Sequence, residues 1–300
     1  MVKRYLVAGG TGFIGNHLRR FAEGKGDRVT ILTRGEVKKE GDDLLRWNPE
    51  DKDSLKDLDF GSFDVVVNLS GEGIEKRWTR GYKERLLTSR VVSTSTLVSL
   101  INRAERKPRY FVNASAIGYY GNGEEEVNES SPPGNDFLAE LSVRWEGEAR
   151  KLDSSVKLLI PRFGVVLGND GGALPKLETM AKLGVIPKKY DSNAWKSWIE
   201  VGDAVRSVSF MIDKGFIGHY NVVSPNPASI EDFIGTIFRV MNKKPRLRMG
   251  KWVFRLFLGE GAEYSIFGGQ KVVPSKLIEL GFKYDYPELG AAVTALMAVQ

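Results

Sequence analysis

The chain has 300 residues, 42% of them hydrophobic, and 44 basic against 38 acidic side chains give a formal charge of +6. That is enough for one large or two modest cores. With no cysteine and only two histidines, His17 and His219, disulfides, thiolate catalysis and zinc sites built from Cys and His are excluded.

No apolar run approaches the roughly 20 residues that span a bilayer, and MVKRYLVAGG reaches glycines before a signal-peptide core could form. A soluble, cytoplasmic protein with no membrane partner is expected. The mild positive excess suits an anionic small molecule. Between Lys243 and Arg255 the segment KKPRLRMGKWVFR carries six cations and no acid. It reads as a solvated basic face before it reads as a phosphate contact, and no nucleic-acid partner is expected from it.

In chain order, Tyr5 to Ala8 reads as a short strand, Gly12 to about Glu23 as a helix and Arg28 to Thr33 as a second strand, with a third near Leu45 to Trp47. VVVNLSG, from Val65, is a buried strand ending at a turn. Arg80 to Ala104 keeps apolar residues at helical spacing, and Pro108 stops it before a strand at Tyr110 to Ala114. The stretch DFLAELSVRWEGEA, 136 to 149, reads as a helix with Leu138, Leu141, Trp145 and Ala149 on a core stripe continued by Leu152, and with Glu140 and Arg144 on the other face. VKLLIPR is a sixth strand, SWIEVGDAV a strand running into a helix, and HYNVVSPNP a strand ending in prolines. After Ser229 the chain reads as helices.

This alternation predicts an α/β protein: a Rossmann-type doubly wound parallel sheet with a smaller, mostly helical C-terminal lobe. Residues 1–165, with about 195–224, would form the cofactor domain, and about 166–194 with 225–300 the substrate lobe.

The strongest chemical signal is Gly9-Gly10-Thr11-Gly12-Phe13-Ile14-Gly15, directly between a strand and a helix. Glycine there permits a tight turn, lets backbone approach a pyrophosphate and lets the helix pack close to the sheet, while the helix N-terminus attracts phosphate. The second strand then ends in Thr33-Arg34. An acid at this place would accept from the ribose 2′-hydroxyl of NAD, whereas a guanidinium pairs with the 2′-phosphate of NADP. NADP(H) is therefore favoured over NAD(H).

With GGTGFIG, NLSGEGI, ASAIGYYG, PRFGVVLGNDGGALPKL, SWIEVGDAV, YNVVSPNP and GAEYSIFGGQKVVPSKLIELGF in this order, the chain resembles the extended short-chain dehydrogenase/reductases. Within them it is similar to an atypical, epimerase-like branch (NAD-dependent epimerase/dehydratase-like) with a C-terminal domain of unknown function. The resemblance covers nearly the whole chain. It implies a serine or threonine after the fifth strand and a Tyr-x-x-x-Lys pair in the next helix, where the lysine holds the nicotinamide ribose and lowers the tyrosine pKa.

No Tyr-x-x-x-Lys occurs in the sequence. Ser115 matches the hydroxyl position, with Ala116 as the rival register. The family's spacing lands on Glu140 and, four residues on, Arg144; as an arginine stays charged and geometrically fixed, it is no simple replacement for lysine. These two are read either as a substitute catalytic pair or as an exposed ion pair. Tyr119 and Tyr120 are the other candidate proton donors. The resemblance also places Leu69, Ser70 and Gly71 near the adenosine half of the cofactor, Pro161 and Arg162 near the nicotinamide, and Gly171, Gly172 and Trp198 at the substrate cleft, with no metal.

Two functions follow. One is an NADP(H)-dependent oxidoreductase or epimerase-like enzyme acting on a hydroxyl or carbonyl of an unidentified small molecule, nucleotide-linked substrates included. The other is a catalytically silent NADP(H)-binding sensor or interaction protein. A homo-oligomer is compatible with either.

Overall fold

The computed structural model describes residues 2–35, 43–51, 53–188 and 194–298. Strands β1 (Arg4–Ala8), β2 (Arg28–Thr33), β3 (Leu44–Arg46), β4 (Val65–Asn68) and β5 (Tyr110–Asn113) are followed by the two-residue strands β6 (Ser115–Ala116) and β7 (Glu126–Val127). Then come β8 (Lys157–Phe163), β9 (Val165–Leu167), β10 (Val185–Pro187), β11 (Trp195–Lys196), β12 (Trp198–Glu200) and β13 (Gly218–Val222). The main sheet runs β13-β8-β5-β4-β1-β2-β3 with every neighbouring pair parallel, and β6 lies beside β8.

Side-chain alternation explains why both faces of this sheet are covered. Tyr5, Val7, Val65, Val67, Tyr110 and Val112 enter one buried cluster, while Leu6, Ala8, Val66 and Phe111 enter another. Successive residues of a strand point to opposite faces, so continuous apolar runs such as VVV need helices on both. Helix α1 (Phe13–Gly24) supplies Leu18 and Ala22 to the first cluster, and α2 (Arg80–Arg103) supplies Leu97, Val98 and Ile101 to the second. Polar side chains start the long helices: Thr79 accepts from the Tyr82 N–H before α2, and Asp136 from the Ala139 N–H before α3 (Phe137–Ala149). Such caps satisfy backbone donors that a helix start leaves open.

A third buried cluster lies apart from the sheet. Leu174 and Ala181 of α4 (Leu174–Leu183), Trp198 of β12, five buried apolar residues of α6 (Ile230–Val240) and Leu289, Val293 and Leu296 of the last helix (Leu289–Ala298) pack together there. Between these elements run α5 (Val201–Lys214) and β14 (Ala228–Ser229), then β15 (Leu247–Met249), α7 (Lys251–Leu258), β16 (Lys271–Val272) and α8 (Ser275–Glu279), with α9 the final helix. The tail is therefore helical with two short strands, β15 against β10 and β16 against β7. Those strands escape sequence reading because their partners are distant and each spans only two or three residues. Part of the loop expected around 170 to 195, residues 189–193, lies outside the described residues. Among the described residues, no helix is long and apolar enough to cross a membrane.

Strand order reverses between β1 and β4. At such a switch point the loops leaving the carboxyl ends of the strands diverge and leave a crevice. Everything in the candidate site follows from that location.

Candidate functional site

The turn from β1 to α1 forms one wall of the crevice. Gly9 has φ +78°, and a Cβ on it would lie 2.7 Å from the Leu69 carbonyl carbon. A Cβ on Gly15 would run into the Gly9 carbonyl oxygen. These two glycines therefore let the first helix lie close against its strand and against the end of β4. At the tip, Gly12 is the N-cap of α1; it offers no side-chain cap, and no acidic residue occupies the first turn. The helix start thus directs backbone donors and a positive dipole end into the crevice with no capping side chain or first-turn acid of its own to use them.

Beside this turn lies a cavity of about 570 Å³, within the range of small-molecule sites. Its lining brings together the glycine turn (Gly9, Thr11, Gly12), the end of β2 (Thr33, Arg34) and the end of β4 (Leu69, Ser70, Gly71). The turn after β3, from Trp47 to Glu50, and α2 with Arg85 and Ser89 close it. Arg34 is exposed at the rim, and among the described residues it has no carboxylate partner. The cradle, the uncapped helix start and the guanidinium beyond β2 fit a dinucleotide: Gly9 to Gly15 for its diphosphate, Arg34 for a charge on the adenosine ribose.

The next strands carry a buried polar network. Ser115 Oγ donates to Glu146 Oε1 at 2.7 Å. Arg162 forks onto the same carboxylate, Nε to Oε1 at 2.8 Å and Nη2 to Oε2 at 2.9 Å, and Arg150 adds a bond to Oε2 at 2.7 Å. The third nitrogen of Arg162 donates to the Tyr120 hydroxyl at 2.9 Å, and that hydroxyl donates to Asn221 Oδ1 at 2.8 Å. Ser115, Tyr120, Glu146, Arg162 and Asn221 are all buried. Burial pushes the Glu146 carboxyl up, but the hydrogen bonds and charge of Arg162, with Ser115 and Arg150, outweigh it and hold the group below its ordinary range. Burial pushes the Tyr120 phenol up in spite of Arg162. A buried fork of this kind holds α3, β6, β8 and β13 together.

Several expected site residues change role. Glu140 and Arg144 form an i,i+4 ion pair at 3.6 Å with exposed side chains. The face of α3 that meets the strands carries Glu146, so 3.6-residue periodicity turns Glu140 and Arg144 away from it and leaves Leu138 and Ser142 in the inward row. Trp198 is fully buried in the third cluster, with its Nε1 donating to the Asn226 carbonyl at 3.0 Å, so it packs that cluster and does not face a cleft. Gly171 and Gly172 lie against the Phe13 ring. Pro161 faces Ile14, Leu18 and Val67 below the strand ends, and Arg162 serves Glu146 and Tyr120. Tyr119 lies with its ring centroid 3.5 Å from the Arg162 guanidinium carbon; among the described residues its hydroxyl has no partner. Ala116, the rival to Ser115, is the N-cap of the short turn carrying both tyrosines.

Sequence reasoning missed Glu146, Asn221 and Glu129, whose Oε1 accepts from the Asn221 N–H at 3.0 Å. The signal for Glu146 was present: an acid inside the apolar stripe of WEGEA, one residue from the core Trp145, needs a buried partner.

Residues 5–223 match the model of the NAD dependent epimerase/dehydratase family, and residues 249–296 match a domain of unknown function, DUF1731. An epimerase family protein of Staphylococcus haemolyticus is 35% identical over 307 residues, covering 99% of each chain. A human epimerase family protein solved with NADPH is 30% identical, with a TM-score of 0.89 over 98% of this chain and 99% of the other. A UDP-glucose 4-epimerase of Thermus thermophilus solved with NAD shares the fold, with a TM-score of 0.76 at 18% identity over 99% of this chain and all of the other (100%).

Proposed function

The chain belongs to the NAD dependent epimerase/dehydratase family, and from that premise we propose that it is an NADP(H)-dependent oxidoreductase acting on a hydroxyl or carbonyl group of a small molecule. The observation that carries this reading is the cavity joining the glycine turn to Arg34. A 2′-phosphate beside β2 meets a guanidinium there, where an NAD site would offer a carboxylate to the ribose hydroxyl. The human relative solved with NADPH points the same way. NADPH supplies a hydride when bound; the chain's own task is to grip the diphosphate at α1, fix the adenosine end at Thr33 and Arg34, and present a proton donor to the reacting oxygen. Among the candidate donors, Tyr119 alone has a hydroxyl with no partner among the described residues, so it is assigned that role.

A second reading rests on the buried network. Ser115 and Tyr120 have already committed their protons to Glu146 and Asn221, which favours a protein that binds NADP(H) and carries out no turnover.

One experiment addresses both. Melting scans with NADPH and NADH should show greater stabilisation by NADPH, about 2.7 kcal/mol at 100 times Kd for a ligand that binds only the native state. In Arg34→Ala that preference should vanish; equal stabilisation by both cofactors in the unaltered chain would remove Arg34 from the site. NADPH oxidation against a panel of carbonyl compounds and sugar nucleotides, repeated with Tyr119→Phe, then decides between enzyme and silent binder.

A further inference from the structure

The segment marked out by its cations, Lys243 to Arg255, is used by neither the cavity nor the buried network. It folds into β15 and the first turns of α7. At about 100° per residue, Phe254 and Leu258 fall on one side of α7, and Trp252, Val253, Leu256 and Phe257 on another. Phe254 turns inward, its ring centroid 5.6 Å from that of Phe267 and nearly at right angles to it. The other row faces out and is half-buried only at Val253. Trp252 is 72%, Leu256 57% and Phe257 69% exposed, and no residue of α7 is buried. Lone exposed apolar side chains are ordinary, but two aromatics and a leucine on one face of a short helix make a patch that marks a contact with something apolar.

The charge beside this ridge is of one sign. Lys251 and Arg255 share Glu263, at 2.7 and 2.6 Å, while Lys243, Lys244, Arg246 and Arg248 are exposed and have no carboxylate partner among the described residues. The two features adjoin. A Cβ on Gly250, in the turn from β15 to α7, would lie 2.9 Å from Trp252 Cδ1, so the indole lies back against the turn that leaves the basic strand. A Cβ on Gly184 would lie 3.1 Å from the Arg246 Cβ, which sets the exposed Leu183 beside the cations. These observations choose the occupant. A second copy is itself basic, and its α7 edge would offer only Glu260 and Glu263, both already paired. A docked peptide helix lies in a groove, whereas α7, with no buried residue, stands out as a ridge. An anionic lipid surface suits both features: its headgroups neutralise the cations, and the apolar row enters the boundary between headgroups and acyl chains.

We propose that β15 and α7 form a peripheral contact surface for anionic phospholipid, with Trp252, Leu256 and Phe257 entering the interface and Lys243, Lys244, Arg246 and Arg248 lying on the headgroups. Such a contact lies on the membrane and needs no spanning helix. It is independent of the dinucleotide reading, since none of these residues lines the cavity. One short helix inserts little apolar surface, so charge and insertion act together and the binding is reversible.

The test titrates the full chain with vesicles of phosphatidylcholine alone and of phosphatidylcholine carrying about 30% phosphatidylserine, followed by co-sedimentation and by tryptophan emission. Of the six tryptophans, four are buried and Trp195 is half-buried, so a blue shift on binding reports Trp252. The expected result is binding with a blue shift on the serine-containing vesicles, none on the neutral ones, and release as added salt shortens the Debye length. Lys243→Gln, Lys244→Gln and Arg248→Gln together should weaken binding by about tenfold or more, and so should Trp252→Ser with Phe257→Ser, by about the same factor. Trp252→Phe should keep most of the binding and lose the shift. The altered side chains are exposed, so melting curves should match that of the unaltered chain; should the serine pair melt lower, the glutamine triple carries the test. Equal binding to both vesicles, binding to neither, or an affinity unmoved by the charge variants overturns the proposal. So does self-association that Trp252→Ser with Phe257→Ser abolishes, which assigns the face to a second copy. Tighter binding of a synthetic acidic amphipathic peptide than of vesicles overturns it too, and assigns the face to a protein partner.

Discussion

At the scale of single residues, the carboxylate of Glu146 bears the greatest structural weight. It accepts from Ser115, Arg150 and both arms of Arg162, and its removal would leave the buried Arg162 guanidinium without its counter-ion. Glu146→Gln is therefore expected to cost about 3 kcal/mol or more of unfolding free energy in a denaturant titration. Ser115→Ala, which removes one donor of several, is expected to cost about 1 kcal/mol; a loss of turnover out of proportion to that small cost would return Ser115 to the catalytic set. The pH dependence follows the same carboxylate. Its folded pKa lies below its ordinary value, so the stability it contributes is present above the unfolded pKa, about 4.3, and is lost as pH falls through the folded one. Stability measured from pH 6 downward should fall more steeply in the unaltered chain than in Glu146→Gln. None of these partnerships is readable from the sequence, because Glu146, Arg162 and Asn221 meet only once three parallel strands and a helix are assembled.

The element that defines the site is the turn between β1 and α1, where glycines of two kinds can be told apart. Gly15 serves packing: a Cβ would run into the Gly9 carbonyl oxygen and lie 2.7 Å from the Gly10 Cα. Gly15→Ala should destabilise the fold by about 1–3 kcal/mol, as overpacking does. Gly12 is the glycine proposed to meet the ligand. A Cβ there would meet only the Gly9 carbonyl oxygen, at 3.2 Å, while a branched side chain would fill the place of the diphosphate. Gly12→Val is thus expected to keep a melting temperature close to that of the unaltered chain and to lose binding of NADPH and NADH alike. Unchanged NADPH affinity in Gly12→Val would contradict the dinucleotide site at its root. This element was legible in full from sequence, since strand, glycines and helix are consecutive and their geometry is local.

For the molecule as a whole, the third buried cluster joins β9 to β12 with the C-terminal helices. Its last contributors, Leu289, Val293 and Leu296, come from α9. The backbone also ties in there: Asp203, at the start of α5, accepts from the N–H groups of Asp285 and Tyr286 at 2.9 Å each. Truncation after Glu288 would expose Ile230, Phe233 and Ile234 of α6 and forfeit about 1.5–3 kcal/mol for each large side chain removed from the core. The expected outcome is a lowered melting temperature with exposed apolar surface detected by dye binding; an unchanged melting curve would show that α9 adds nothing to that core.

What the sequence determined by itself is whatever depends on neighbours in the chain: the alternation of apolar runs that makes a parallel sheet, the glycine turn at the first helix, the arginine at the end of the second strand and the absence of a Tyr-x-x-x-Lys pair. What only the tertiary structure decided is the orientation of side chains whose partners are far away. Glu140 and Arg144 were placed by counting residues, but the rotation of α3 is fixed by Trp145 and Glu146 docking on α2 and the strands, and that rotation turns the counted pair to solvent. The resemblance points Trp198 to a cleft, but it is enclosed in a cluster with α4, α6 and α9, which only the folded chain brings together.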